Sequence, residues 1–280
     1  MISALVCLIL SACAAQTTET PLRVALLAPF EGRYRELGYN ALYAARLAFS
    51  DAASPTNVTL LPIDDGGTVA SAADRARALA QDPLVMIALA LGPFAAAPET
   101  QHAFADTPML IVGHWADQPP TRDTVYLLTN PAIDDMITVD PAALPTDAPI
   151  TGPIIGADLF ALPQIPALAG QALDQITVVS SGALPDPEFA ERYRSSDPFA
   201  PEPGPLASLT YDATRLAIQA IGTPLCVLAR APDAAIAAAA HSGYNGPMRF
   251  ADGYWQDAPL YRYRYTPDGT LIRVDGRTIE

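Results

Sequence analysis

Residues 22–52 read LRVALLAPFEGRYRELGYNALYAARLAFSDA, and two structural periods meet inside them. Leu22 to Ala28 is an apolar run of strand length, the pattern of a parallel strand buried on both faces. From about Leu37 to Ala52 the period changes. Gly38, Ala41, Leu42, Ala45, Ala48, Phe49 and Ala52 fall at i, i+3, i+4, i+7, i+10, i+11 and i+14, one stripe of an amphipathic helix. Small residues along that stripe let the helix lie close to a sheet, while Tyr39, Asn40, Tyr43, Arg46 and Asp51 take the other side.

The unit repeats downstream. Val58 to Ile63 reads as a strand ending in Asp64-Asp65-Gly66-Gly67, and Thr68 to Gln81 as a helix. Val85 to Leu91 and Met109 to Val112 read as further strands, with a short helix at Ala97 to Phe104 between them. Alternating β and α segments at this spacing predict an α/β fold built on a doubly wound parallel sheet. After Gly113 the texture changes. Residues 117–153 are rich in Pro, Asp and Thr, with one strand-like piece at Val125 to Leu128. Short apolar runs follow at Pro153 to Ile155, Ile176 to Val179 and Leu225 to Leu228, the last read as a strand. Ser208 to Ile221 and Pro232 to Ala240 read as helices, and Leu260 to Val274 as a hairpin turning at Pro267-Asp268-Gly269.

Charge and composition narrow the function classes. The 280 residues carry a formal net charge of −14, with sixteen Arg, no Lys and thirty acidic residues. Phosphate neutralisation needs clustered basic groups, so nucleic acid is excluded as an expected partner. Cys7, Cys13 and Cys226 match no zinc spacing and no CxxC pair, and His102, His114 and His241 are scattered, so no metal and no cofactor is expected. GxSxG, HExxH, Walker A and GxGxxG are all absent, and the chain is not expected to be an enzyme. The adjacent Asp64 and Asp65 point apart on an extended backbone and suit turn or capping duty.

The front of the chain reads as an address. Ile2 to Leu10 is too short for a bilayer span of about 20 residues and suits a signal peptide's apolar core. Leu10-Ser11-Ala12-Cys13 resembles the bacterial lipobox, although no Arg or Lys precedes it. Residues 1–12 are therefore expected to be a lipoprotein signal peptide, Cys13 the lipidated residue, and 13–21 its tether. A buried N-terminal strand is the competing reading.

Binding residues are expected at strand ends, because ligands of open α/β sheets sit outside the carboxyl ends of the strands. Gly92-Pro93-Phe94-Ala95-Ala96 precedes a helix, so its backbone N–H groups could receive a carboxylate; as sequence alone, an ordinary strand-to-helix turn is the stronger reading. Gly113-His114-Trp115 ends the next strand. There Trp115, with Phe94, offers apolar walls, and His114 lines either a cleft or a loop.

The opening stretch, with LLPIDDGG (60–67) and ALGPFAAAPE (90–99), resembles the type I periplasmic substrate-binding proteins, nearest the branched-chain-amino-acid (Leu/Ile/Val) binding proteins of ABC transporters. The resemblance resumes at GPIIGADLF, ALAGQALDQITVVSS, FAERYR, SLTYDATRLAIQAIG and GYNGPMRFADG. It implies a two-lobed clamp on a small solute. In that family the loops matching Phe94, Ala95 and Ala96, and Gly113, His114 and Trp115, hold the amino acid's carboxylate and ammonium. Tyr34 and Leu37 fall near its side chain. Asp158 matches a lobe-two acidic residue that partners the ammonium; as a bare sequence position it reads equally as a solvated turn aspartate. The chain departs from the family after Gly113, where several strand–helix units are missing.

Lobe one is thus expected complete, over 22–116 with a return over 208–280 that ends in the C-terminal hairpin, and lobe two reduced within 117–207. The implied function is that of a lipid-anchored, extracytoplasmic solute-binding protein. It would pass an amino acid or similar small polar solute to an ABC permease from the cell membrane's outer face. A degenerate member serving as sensor or envelope scaffold is the alternative.

Overall fold

The computed structural model describes residues 21–52, 57–115, 119–145, 150–223, 226, 231–239 and 241–274. The expected signal peptide, Cys13 and nearly all of the tether lie outside them, as does all of the expected 225–228 strand except Cys226, which is helical. Among the described residues no helix is long and apolar enough to cross a membrane.

Five parallel strands make the frame: β1 (Leu22–Ala28), β2 (Val58–Asp64), β3 (Val85–Ala90), β4 (Met109–Val112) and β5 (Val125–Leu128), in the order β2-β1-β3-β4-β5. The register is regular, with Ala25 beside Leu61 and Ala88, Leu89 beside Leu110, and Leu110 beside Tyr126. Helices α1 (Arg35–Asp51), α2 (Val69–Gln81) and α3 (Pro98–Ala103) make the crossovers. Right-handed crossovers send α1 to one face, since β2 lies on one side of β1, and α2 and α3 to the other, since β3 and β4 lie opposite. The order therefore reverses between β1 and β3, the switch point at which such sheets open a crevice.

Helix α1 is held on two sides. Its small-residue stripe meets the sheet, and Gly38 is required there because a Cβ would lie 2.0 Å from the Pro29 carbonyl oxygen. The side carrying Asn40 and Tyr43 is covered as well. Tyr43, Ala44 and Leu47 pack with Phe189 and Tyr193 of α5 (Pro187–Ser195) and Ala207 of α6 (Pro205–Ile221). Asp186 caps α5 by accepting from Phe189 N–H at 2.8 Å. Helix α6 lies along α1 and reaches β1, β3 and β4. It starts at Pro205, three residues before the predicted Ser208.

A second sheet has the order β13-β12-β7-β6, from β6 (Ile154–Gly156), β7 (Ile176–Ser180), β12 (Tyr261–Tyr265) and β13 (Leu271–Arg273). Only β6 and β7 are parallel; the C-terminal hairpin joins antiparallel, Tyr263 beside Val178. Short helix α4 (Ile165–Ala169) lies in the β6–β7 connection. After α6, the chain forms α7 (Pro232–Ala238) and a small hairpin, β8 (His241–Gly243) with β9 (Gly246–Met248). It then extends the first sheet with β10 (Phe250–Ala251) and β11 (Tyr254–Trp255), β11 lying parallel to β5. One hydrophobic core runs through both sheets, from Val24 and Leu89 to Val178 and Tyr263.

Candidate functional site

The carboxyl ends of β1, β3, β4 and β5 point to one edge, where the loops predicted from the sequence gather. After β1, the Asp64 carboxylate of the neighbouring strand holds the turn, accepting from Phe30 N–H at 2.8 Å and from Gly66 N–H at 2.9 Å. Asp65 accepts from Gly67 N–H at 2.8 Å and is fully buried, which raises its pKa to about 6.

Tyr34 is buried here, with its ring edge-on to Phe94 at 6.0 Å, and its hydroxyl donates to the Ala142 carbonyl at 2.7 Å. Leu37 packs at the β3 end, its Cδ2 being 3.6 Å from where a Cβ of Gly92 would lie. Ala95 and Ala96 are fully buried, and Ala96 N–H already donates to the Gly92 carbonyl at 3.0 Å. The Phe94 carbonyl accepts from Thr100 Oγ1 and the Ala96 carbonyl from Gln101 Nε2. This loop therefore turns part of its polar backbone inward, as a strand-to-helix turn does.

The β4 end is more tightly closed. Gly113 has φ +90°, a conformation open to glycine. A Cβ there would lie 3.1 Å from Leu206 Cδ1 and 3.2 Å from both Asp158 Oδ2 and the Trp115 ring. Asp158 is completely buried, and its Oδ2 accepts from His114 N–H at 2.7 Å. Its Oδ1 accepts from Ser180 Oγ, which in turn accepts from Gly182 N–H at 2.9 Å. Burial pushes the Asp158 carboxyl above the usual carboxylate range, and the Ser180 and His114 hydrogen bonds pull it partly back. Trp115 is buried, with Nε1 donating to the Val112 carbonyl at 2.8 Å.

Tyr34, Leu37, Phe94, Ala95, Ala96, Gly113, His114, Trp115 and Asp158 thus share one end of the first sheet, in two groups. Tyr34, Leu37 and Phe94 stand at the β1–β3 switch point. Gly113, His114, Trp115 and Asp158 stand at the β4 end, where the second sheet's Asp158 reaches a first-sheet amide directly. Four further residues here escaped the sequence reading: Leu206, Ser180, Thr129 and Asp134. Thr129 follows a strand end just as His114 does, so the strand-end rule would have found it. Leu206 and Ser180 reach the site only through tertiary packing.

Beside this group lies a cavity of about 40 Å³, walled by Ile111, Trp115, Leu127 and Tyr254 and touched by His114, Thr129 and Asp134. That is room for a few waters. His114 Nε2 lies 3.0 Å from Asp134 Oδ1 without hydrogen-bond alignment, and Thr129 Oγ1 is buried with no partner among the described residues. A groove of about 740 Å³ runs elsewhere, between α5 and the turn of the C-terminal hairpin. Among the described residues no cluster of His, Cys, Asp or Glu could hold a metal ion.

No protein-family model matches the chain, and no curated protein matches it in sequence. Its shape does match solved structures. The branched-chain amino acid transporter substrate-binding protein LivJ of Streptococcus pneumoniae, in complex with isoleucine, superposes with a TM-score of 0.69 at 14% identity, covering 91% of this chain and 100% of that one. A solute-binding protein of an ABC transporter from R. palustris, in complex with benzoate, gives 0.69 at 14% identity, covering 91% and 95%. The leucine-binding protein LivK of Thermotoga maritima gives 0.67 at 14% identity, covering 91% and 98%. This chain has the type I periplasmic binding protein fold, shared with branched-chain amino acid substrate-binding proteins of ABC transporters.

Proposed function

We propose that this chain is an extracytoplasmic solute-binding protein of an ABC importer, lipid-anchored through Cys13, that binds an amino acid or a similar small polar solute and does no chemistry on it. The observation that carries the reading is that the strand-end loops of β1, β3 and β4 share one edge of the first sheet, and that Asp158, in the turn after β6, closes on the β4-end loop. A solute entering there would displace the Asp158 carboxylate from the His114 amide and the Leu206 methyl from Gly113. The permease would receive it from the membrane's outer face.

The test is a thermal-shift panel of amino acids, amides and short peptides on the purified full-length chain. A ligand at one hundred times its Kd stabilises by about 2.7 kcal/mol, roughly 5–10 °C for a chain of this size. No shift with any of them would refute the reading. Cys13→Ser is expected to move the protein from the membrane to the soluble fraction, and retention of the variant on membranes would refute the anchor.

One observation favours a second reading, a sensor or envelope scaffold that keeps the fold without a solute. Asp158 and Leu206 fill the crevice at Gly113, leaving the small cavity beside it. A silent solute panel on a well-folded chain would select that reading.

A further inference from the structure

We propose that the aromatic patch formed by the first turns of α1 and the turn at Phe199 is a self-association surface, on which a second copy of this chain docks about a two-fold axis. The inference goes beyond the solute-binding reading and does not rest on it.

Among the described residues two aromatic side chains are exposed, Tyr39 at 37% and Phe199 at 83%, and both stand on this patch. Tyr39 lies on α1, and Phe199 lies in the connection between α5 and α6. They border a groove of about 430 Å³ that Phe30, Tyr43 and Pro201 also line. Phe30 and Tyr39 pack edge to face at 5.9 Å, and the Arg46 guanidinium covers the Tyr43 ring at 5.3 Å. A lone exposed apolar residue needs no explanation, whereas exposed aromatics grouped around a groove mark an interaction site.

Phe199 is presented on a stiff turn. Its N–H donates to Asp197 Oδ1 at 2.9 Å, and Ala200 N–H donates to the Asp197 carbonyl at 3.1 Å. Pro198 and Pro201 fix φ on either side of it. Asp197 is itself held to α1, with Oδ2 3.7 Å from Arg46 Nη1. An anchor with so little freedom loses little entropy on docking, and aromatic anchors seated in a partner's pocket carry most of an interface's binding energy.

Knob and groove lie side by side on one face. A two-fold axis between them seats each copy's Phe199 in the other's groove, so one patch supplies both halves of the contact. Charge favours a second copy over a charged partner. With sixteen Arg against thirty acidic residues, two copies repel over most of their surface. Here the signs balance. Residues 31–36 carry Glu31 and Glu36 against Arg33 and Arg35, and Arg46 matches Asp197. Each copy's acids can therefore face the other's arginines.

The experiment follows the mass of the purified full-length chain by sedimentation equilibrium in a density-matched detergent, from about 1 to 300 µM. The mass is expected to double with concentration and to stop there. Salt screens the repulsion between whole molecules, so raising NaCl from about 20 to about 300 mM is expected to tighten the dimer at least threefold. Phe199→Ser and Tyr39→Glu, both at exposed positions, are expected to keep the parent's thermal midpoint and each to weaken the dimer at least tenfold. An equimolar mixture of the two variants is expected to associate more tightly than either alone, because one copy's Phe199 then meets an intact groove.

A monomer throughout the concentration range would overturn the proposal. A dimer of unchanged affinity in both variants would overturn the surface. Growth beyond the dimer would overturn the two-fold geometry, and no gain on mixing would overturn the exchange of Phe199 between copies.

Discussion

The two sheets of this molecule are built by opposite means. In the first, helical crossovers link β1 to β4 and β5 follows, so these five strands lie close together in sequence, while the short β10 and β11 join from far along the chain. In the second, β7 at residues 176–180 finds β12 at 261–265 across eighty residues, and only β6–β7 is parallel. Closing a loop over such a span carries an entropic cost that grows slowly with length, so the second sheet depends on buried contacts made once the rest is in place. Its smallness does not make it separate. A single core joins it to the first sheet, and Asp158 ties the two ends together.

The strongest test of that unity is Tyr263→Ala. Tyr263 is fully buried, and its hydroxyl donates to the Gly182 carbonyl at 2.6 Å. Removing it is expected to cost about 4 kcal/mol, as for other buried aromatic-to-alanine changes, in one cooperative urea transition. Two separate transitions would show that the sheets are independent units.

Next in size comes Gly38→Ala in the first sheet, expected to cost about 3 kcal/mol because the new methyl meets backbone. A loss below about 1 kcal/mol would mean that α1 can move off Pro29. Asp158→Ala probes the join itself and is expected to cost about 2 kcal/mol, leaving His114 N–H and Ser180 Oγ without their acceptor. Its pH signature is specific. The folded carboxyl has a raised pKa, so its contribution to stability is greatest in acid and is lost as pH rises through that folded value. Asp158→Asn should abolish that component, and an unchanged slope would refute it.

Asp65→Asn is expected to act with the opposite sign, as a gain in stability. The folded pKa of about 6 lies above the unfolded value of about 3.9, so this group's contribution falls between about pH 4 and 6. Asn keeps an acceptor for Gly67 N–H and should be the more stable form at pH 7 and the flatter one across that window. Identical pH profiles would overturn this.

The same contrast explains what could be read beforehand. Strands β1, β3, β4 and β5 are legible because burial on both faces leaves apolar runs, and α1 because its small residues keep a helical period. The C-terminal hairpin was legible as a hairpin, and Gly269 takes φ +83° at its turn. Its membership of the second sheet was not, because nothing local in YRYRY encodes a partner eighty residues away. Helix α5 carried a usable signal, Asp186-Pro187-Glu188, an N-cap followed by proline at the first helical position. At the candidate site the strand-end residues were legible by position. Leu206 and Ser180 were not, since α6 and β7 bring them in from far along the chain.

The Asp158–His114 bond has a consequence for every titration of this protein. A carboxylate tethered to the fold competes for its amide as an intramolecular ligand, at an effective concentration of millimolar order or above. A free solute that needs the same amide binds with its intrinsic affinity reduced by the fraction of molecules in which that bond is open. Weak apparent affinity in the parent and tight affinity in Asp158→Ala would therefore describe one and the same crevice, measured with and without its resident competitor.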